Sequence, residues 1–419
     1  MSIRAGSILH LQGNNVIDRI QSAGLGDVRL PIETIREVGN REVVDKIPQE
    51  PDFTFTMESL DVSTDVMAWL TGATPGSAGS ASPPGASDPA GTTYDWLDCQ
   101  MVNIPSPWKN PNTGSAGVVE AGHLIPGYYP TRYTARFGVT DDATFTVELA
   151  GGSFYYADRG APLEDFHLGN GSTKVFNTIH PAIRYRKGGV GGSTFRSVFG
   201  VIVDGTLQTE DVDFTVTGGA DYPGSTATVT FTSAPANGAK IKFAYFTSDA
   251  QTFPQTVHAS TIVKPGAVRG RNISVGITAQ GGSEQRVGGI QTAEVNATVD
   301  GEVERELGTE DIIGRVVNGT DANGTLTIRA KDKDAFFNVL KQITGFTDTN
   351  EVFGWFNDNE VQLEIHIQNP KNPGANLKTI LFEDAKFQPP GTPARVNAAT
   401  DFAFNFESVS GTFKEVKGQ

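Results

Sequence analysis

The chain has 419 residues and a formal net charge of −15, with 38% hydrophobic residues, 48 glycines and 25 phenylalanines. So acidic a composition lacks the clustered Lys and Arg that grip phosphate, which excludes a nucleic-acid-binding protein of the basic kind. One cysteine, Cys99, excludes an internal disulfide and argues against a four-ligand zinc centre of the usual type.

Length alone suggests two or three compact units with ample material for a core. Abundant glycine beside Phe, Val and Thr predicts short strands joined by tight turns. The first residues, Met1 to Leu11, hold Arg4 and a short apolar patch without a long apolar run. No segment approaches the roughly 20 apolar residues of a membrane helix, so the expectation is a protein made in a reducing cytoplasm, without a membrane anchor.

In chain order, residues 1–50 are mixed and read as an extended arm with one or two strands. Phe53, Phe55 and Met57 alternate with polar residues, which predicts a half-buried strand. Asp61 to Leu70 carries Val62, Val66, Trp69 and Leu70 at helical spacing and predicts a short helix. Gly72 to Thr93 is rich in Gly, Ser, Ala and Pro and reads as a linker. Strands are expected over Asp98–Ile104, Arg132–Val139 and Thr144–Leu149, with an irregular, turn-rich Pro105–Pro130 between them.

From Asp158 to about Ala250 the pattern changes to closely spaced short strands. Val198–Val203, the turn Asp204-Gly205, and Asp213–Thr217 read as strand, tight turn, strand. Thr226–Thr232 and Lys240–Thr247 follow, and a small all-β sandwich is expected. Beyond it, Ile273, Val275 and Ile277 alternate, as do Ala293, Val295, Ala297 and Val299. Asn323-Gly324 reads as a turn before Leu326 and Ile328. Asp332 opens a helix carrying Phe336, Val339, Leu340 and Ile343, and Gly345 ends it. Val361, Leu363, Ile365 and Ile367 predict a strand, and Phe402, Phe404 and Phe406 the last one. The organisation expected is a β core formed by residues 1–157 and 251–419, interrupted by an inserted β-sandwich domain over 158–250.

No catalytic, cofactor-binding or metal-ligating residue is nominated. None of the six histidines, His10, His123, His167, His180, His258 and His366, is paired at a spacing that would place two ligands on one helix face or on alternate strand positions, and they read as surface or capping residues. Gly188-Gly-Val-Gly-Gly192 lacks the Gly-Lys-Ser/Thr ending of a phosphate loop and reads as a hairpin tip. No Gly-x-Ser-x-Gly elbow occurs. Asp141-Asp142 and Glu310-Asp311 sit in turn-like contexts of solvated acids. The Asn-x-Ser/Thr triplets starting at Asn170, Asn272, Asn296, Asn318 and Asn323 read as turn and strand residues. The expectation is a structural protein, not an enzyme.

The order of elements then carries a resemblance. The strand Phe53–Met57 leads to the helix ending Ala68-Trp69-Leu70. The strand pair Asn272–Gln280 and Ile290–Asp300, the acidic, glycine-containing connector Gly301–Gly314, the Asp332–Gly345 helix and the strand Phe402–Phe406 follow. Over about three quarters of the chain this resembles the tail tube (major tail) proteins of long-tailed bacteriophages. Residues 158–250 resemble small β modules of phage tail and fibre proteins, through Phe166-His-Leu-Gly-Asn-Gly-Ser-Thr-Lys-Val-Phe176, Val203-Asp-Gly205, Asp213-Phe-Thr215 and Val229–Ile241. Many tube subunits are about half this length and lack an insertion.

The resemblance implies a mainly β fold of two packed antiparallel sheets with one or two flanking helices. It also implies hexameric rings stacked into a tube, a virion location, contact with a tape measure protein and a sheath, and an acidic lumen through which DNA passes. Residues 158–250 hold eight basic and nine acidic side chains, so the remainder carries −14 of the −15 charge. Rival readings are a fibre or cell-surface adhesin, a sheath or tail-tip subunit, and, with only 4 Trp and no nominated acid pair, a carbohydrate-active enzyme.

Overall fold

Two-residue alternation dominates the apolar pattern, and the chain answers it with antiparallel strands. The computed structural model describes residues 8–12, 15–17, 20–25, 32–35, 45–48, 53–60, 97–103, 121–151, 155–157, 160–187, 194–204, 206–249, 268–279, 282–305, 312–329, 341, 343, 360–370, 372–389, 401–411 and 413–417. The first strands are β1 (Ile8–Gln12), β2 (Asn15–Ile17), β3 (Ile20–Leu25), β4 (Ile32–Ile35), β5 (Asp45–Pro48) and β6 (Phe53–Ser59). Next come β7 (Leu97–Asn103), β8 (Ala121–Gly138), β9 (Thr144–Gly151) and β10 (Tyr155–Ala157). The middle of the chain forms β11 (Ala161–Leu168), β12 (Val175–Asn177), β13 (Tyr185–Lys187), β14 (Thr194–Arg196) and β15 (Gly200–Val203). It continues with β16 (Thr206–Leu207), β17 (Phe214–Gly218), β18 (Ala227–Phe231) and β19 (Lys240–Thr247). After a 3-10 turn at Gly270–Asn272 come β20 (Ile273–Ala279), β21 (Gln285–Arg286), β22 (Ile290–Arg305) and β23 (Ile312–Arg329). The last are β24 (Val361–Asn369), β25 (Asn372–Phe387), β26 (Asp401–Ser408) and β27 (Lys414–Lys417).

Sixteen strands join in one sheet. Its spine runs β2-β1-β7-β8-β22-β23-β26-β25-β24-β20-β21, with β9-β6-β3 and β10 attached at β8, and β27 at β25. Inward residues of β6, β8 and β9 (Phe55, Met57, Tyr133, Phe145, Val147) share one core with Leu363, Ile365, Ile380, Phe382, Phe404 and Phe406. Tyr133 stacks on Phe145 at 6.3 Å between ring centres and meets Phe413 at 5.9 Å, and Phe413 meets Phe382 at 5.4 Å. Because β8 and β25 lie well apart along the spine, these rings close the sheet over its own inner face as a sandwich. Truncating one such ring to alanine costs about 3–5 kcal/mol.

A second core belongs to the middle of the chain. A four-stranded sheet, β11-β19-β15-β16, faces a three-stranded one, β12-β18-β17, across Val201, Phe214, Val229, Phe231, Ile241, Phe243 and Tyr245. Leu124 of β8 joins this cluster, and β10 pairs with β8 through Tyr155 opposite Leu124. At the same root, Arg196 donates to Glu210 at 2.7 Å and to the Tyr155 hydroxyl at 3.3 Å. The pair is largely buried, so losing either partner would strand a charge.

Several expectations change. β8 begins at Ala121, inside the stretch read as irregular. Its two prolines fall at register shifts: Pro126 lies where Leu97/Cys99 pair with Tyr128/Ile125, and Pro130 at the shift before Arg132. A bulge is where a strand can spare an amide. Asn323-Gly324 is not a turn but lies inside β23, with Gly324 paired to both Val295 and Phe406. Asp204, at φ 49°, does stand in a tight turn between the paired Val203 and Thr206, but the returning strand is Thr206–Leu207, and Asp213–Thr217 pairs into the other sheet. Of the connector Gly301–Gly314, residues 301–305 belong to β22 and 312–314 to β23. The Asp61–Leu70 helix lies outside the described residues. Of the Asp332–Gly345 helix, Lys341 and Ile343 are described, both helical, with Ile343 in the larger core.

Gly324 explains itself by packing: a Cβ there would overlap the Glu294 carbonyl and the edge of the Phe406 ring. Gly324→Ala is expected to destabilise the chain by about 2 kcal/mol, read as a lowered midpoint in chemical denaturation. An unchanged midpoint would mean that β23 does not pack this closely on β26.

Candidate functional site

Strand pairing leaves a row of donors and acceptors at every sheet edge, and these edges are the first places where another molecule can add. Among the described residues, β2, β3, β10, β21 and β27 each pair on one side only within the large sheet. They differ in chemistry. β27 carries Lys414 and Lys417, and Lys414 pairs with Glu383 at 2.7 Å. β21 has two exposed residues. β3, Ile-Gln-Ser-Ala-Gly-Leu, has six residues and no charge, so it lacks the lysine that blunts an edge.

A second feature is the β22–β23 hairpin. β8 pairs with β22 only over Thr292–Thr298, and β26 pairs with β23 only over Asn323–Arg329. Among the described residues β22 and β23 continue beyond these limits as a ladder of their own, through Val299↔Thr320 to Arg305↔Ile312. The arm therefore runs roughly 20 Å past its last neighbouring strand. Register shifts at Asp300/Gly301 and Glu304/Arg305 increase its twist.

Buried polar groups elsewhere serve the fold. The Tyr245 hydroxyl donates to Asp165 at 2.7 Å, and the Ile179 amide donates to the same carboxylate oxygen at 2.6 Å. Burial, then the Asp165 charge, raises the Tyr245 pKa far above its ordinary value, so the phenol stays a fixed donor. Burial lowers the pKa of His167 against the opposing pull of Asp165. Its ring sits between Phe176 and Phe243 as part of the aromatic cluster. Asp384 accepts from Ser408 Oγ at 2.7 Å and from the Ser410 amide at 2.7 Å. Burial would raise its pKa, but these hydrogen bonds outweigh it and the net shift is downward.

One group of titratable side chains converges without such an evident structural purpose. His366 Nε2 lies 3.0 Å from Glu284 Oε1 and 3.4 Å from Glu364 Oε2. Glu364-x-His366 is a spacing that sets two ligand-type side chains on one strand face, so the expectation that no histidine is paired at alternate strand positions fails at His366. Glu284 is distant in sequence, and only the fold brings it there. Of the other histidines, His10 and His123 lie on β1 and β8, His180 faces Asp249 at 3.1 Å, and His258 is outside the described residues. Gly188–Gly192 and Glu310-Asp311 are also outside them, though β13 and β14 pair on either side of the glycine run. Asp142 forms an exposed pair with Arg269 at 3.0 Å. Asn170 folds back on its own turn, accepting from the Ser172 and Thr173 amides.

No protein-family model matches the chain, and no curated protein matches it.

The Asp384 cluster gives a pH test. A carboxylate with a depressed folded-state pKa stabilises above its unfolded pKa and loses that contribution as pH falls through the folded value. Asp384→Ala is expected to cost about 2 kcal/mol at pH 7. In thermal melts at stepped pH, the gap from the parent protein should close on acidification. A gap that persists in acid would show that the charge is not its source.

Proposed function

We propose that this chain is a structural subunit of a bacteriophage tail, assembling into hexameric rings that stack as the tail tube. The observation that carries the reading is the β22–β23 arm, which leaves its parent sheet and continues as a two-stranded ribbon. A two-stranded ribbon is marginal in water by itself. Covering by a neighbouring copy removes that weakness, and a ring of identical subunits supplies such a neighbour at every position. The uncharged β3 edge supports the same reading, since edge-to-edge pairing around a ring would extend one sheet into the next and leave no open edge.

Charge fits this use. Residues 299–322, the arm with its connector, contain Asp300, Glu302, Glu304, Glu306, Glu310, Asp311 and Asp321 against Arg305 and Arg315. A tube built from so acidic a core would repel DNA from its wall and let it pass without sticking. In this reading residues 158–250 are an inserted module on the outside of the tube, and a tape measure protein and a sheath are the further partners. A fibre or adhesin role is the second reading, favoured by the exposed Phe166, Leu168 and Tyr156 near the middle core.

Negative-stain electron microscopy across a protein concentration series tests assembly: rings or hollow tubes of uniform diameter are expected. Monomers persisting at all concentrations would turn the assignment towards the adhesin. Replacing residues 300–318 by a short turn should leave the circular dichroism of the monomer nearly unchanged and abolish stacking. Tubes formed without the arm would remove the observation on which the proposal stands.

Deleting residues 158–250 is expected to leave tubes of the same inner diameter with a thinner wall. Loss of assembly in that deletion would make the module part of the ring contact.

A further inference from the structure

Alternation along β24 sends Val361, Leu363, Ile365 and Ile367 into the larger core and sets Glu364 and His366 together on the opposite face. The β20–β24 ladder places Gly276 opposite Glu364 and Ser274 opposite His366. Any Cβ at Gly276 would collide with the Glu284 carboxylate. The bare backbone at Gly276 is thus what lets Glu284, from the turn just before β21, reach across to the histidine. On the far side of the ring, Nδ1 lies 3.0 Å from Thr379 Oγ1 and 3.5 Å from Asn376 Nδ2. His366 is 7% exposed, and one ligand atom from each of Glu284, Glu364 and His366 lies within 4.8 Å of the other two.

We infer that Glu284, Glu364 and His366 form a binding site for one divalent transition cation of the zinc type. Two carboxylates converge on a single imidazole nitrogen, which carries at most one proton to share between them. A dication in place of that proton balances both negative charges. The donor set selects the ion class, because an imidazole nitrogen with two carboxylate oxygens suits zinc, cobalt or manganese, whereas calcium takes six to eight oxygens. Zinc–nitrogen and zinc–oxygen bonds are about 2.0–2.1 Å, which puts tetrahedral ligands about 3.3 Å apart. The 3.0 and 3.4 Å separations at His366 bracket that spacing.

The surroundings agree with the assignment. Thr379 holds the far nitrogen of the ring, the arrangement that orients a metal-binding imidazole. Ser274 Oγ, opposite His366 in the ladder, is buried and has no partner among the described residues. The Glu284 side chain is 39% exposed, which gives an ion access and leaves a coordination position for water. Bound there, a cation ties the turn leading into β21 to β24 and so fixes the end of the large sheet.

Full-length protein stripped with a chelator and titrated with zinc chloride in a calorimeter tests the site. One ion per chain is expected, with a raised melting temperature, and calcium should bind about tenfold more weakly or worse. Glu284→Gln, on the exposed turn, should weaken zinc by about tenfold or more while leaving the metal-free melting temperature unchanged. His366→Gln should abolish binding and the visible absorption of the cobalt-loaded protein. Should His366→Gln fail to fold, Glu284→Gln and the cobalt spectrum decide. Absence of stoichiometric zinc binding overturns the site, as does zinc affinity undiminished in either folded variant, which would place the ion on Cys99 or other histidines. Calcium binding as tightly as zinc overturns it too, since the imidazole would then have no part.

Discussion

Each antiparallel strand satisfies the backbone on one side and presents the same unmet need on the other, and that constraint shapes this chain more than any single side chain. The large sheet folds over its own inner face, so its core is closed while its edges are not. The edges are handled unequally. β27 is fortified with lysine, β21 is cut to two residues, and β3 is neither charged nor shortened. Among the described residues, β3 is thus the edge of the large sheet that keeps its hydrogen-bonding capacity over six uncharged residues. The arm of β22 and β23 poses the same problem along its whole length, since no third strand flanks it among the described residues.

The two cores are built on different principles. The larger one draws its residues from widely separated segments, and Phe55, Tyr133, Phe382 and Phe413 meet only when both ends of the chain have converged. The middle core is nearly self-contained over residues 155–246 and rests on a dense group of rings, Phe176, Phe231 and Phe243 among them. Two of its buried polar groups are firmly held: Asp165 by Tyr245 and the Ile179 amide, and Arg196 by Glu210 and Tyr155. Fixed donors of this kind specify one arrangement of the sheets rather than supply chemistry.

Much of the fold was legible in alternation. β6, β9, β18, β19, β20, β24 and β26 stand where period-two apolar residues place them, because a half-buried strand imposes that period directly. What alternation hid has identifiable causes. The first ten residues of β8 carry two prolines that read as breakers, and only the partner strands reveal that both fall at bulges. Asn323-Gly324 has turn chemistry, yet its glycine answers to the Phe406 ring from a strand some 80 residues away. The site was less legible than the fold. Glu364 and His366 are neighbours by spacing alone, whereas Glu284 arrives through the β20–β21 turn and the missing side chain of Gly276, neither of which periodicity encodes. The arm was invisible because its outer strands read as an acidic connector.

β8 belongs to both halves of the molecule. Its early residues pair with β7 and β10 beside the middle core, and its later ones with β9 and β22 inside the larger. A load applied to residues 155–247 along the direction of β8 therefore enters a strand whose hydrogen bonds lie across the line of pull. Such bonds are strained in parallel and yield together, whereas a load peeling the strand sideways would break them one by one. Within the β8–β10 ladder, a pull along β8 is therefore met by its hydrogen bonds together, and a sideways pull by one at a time.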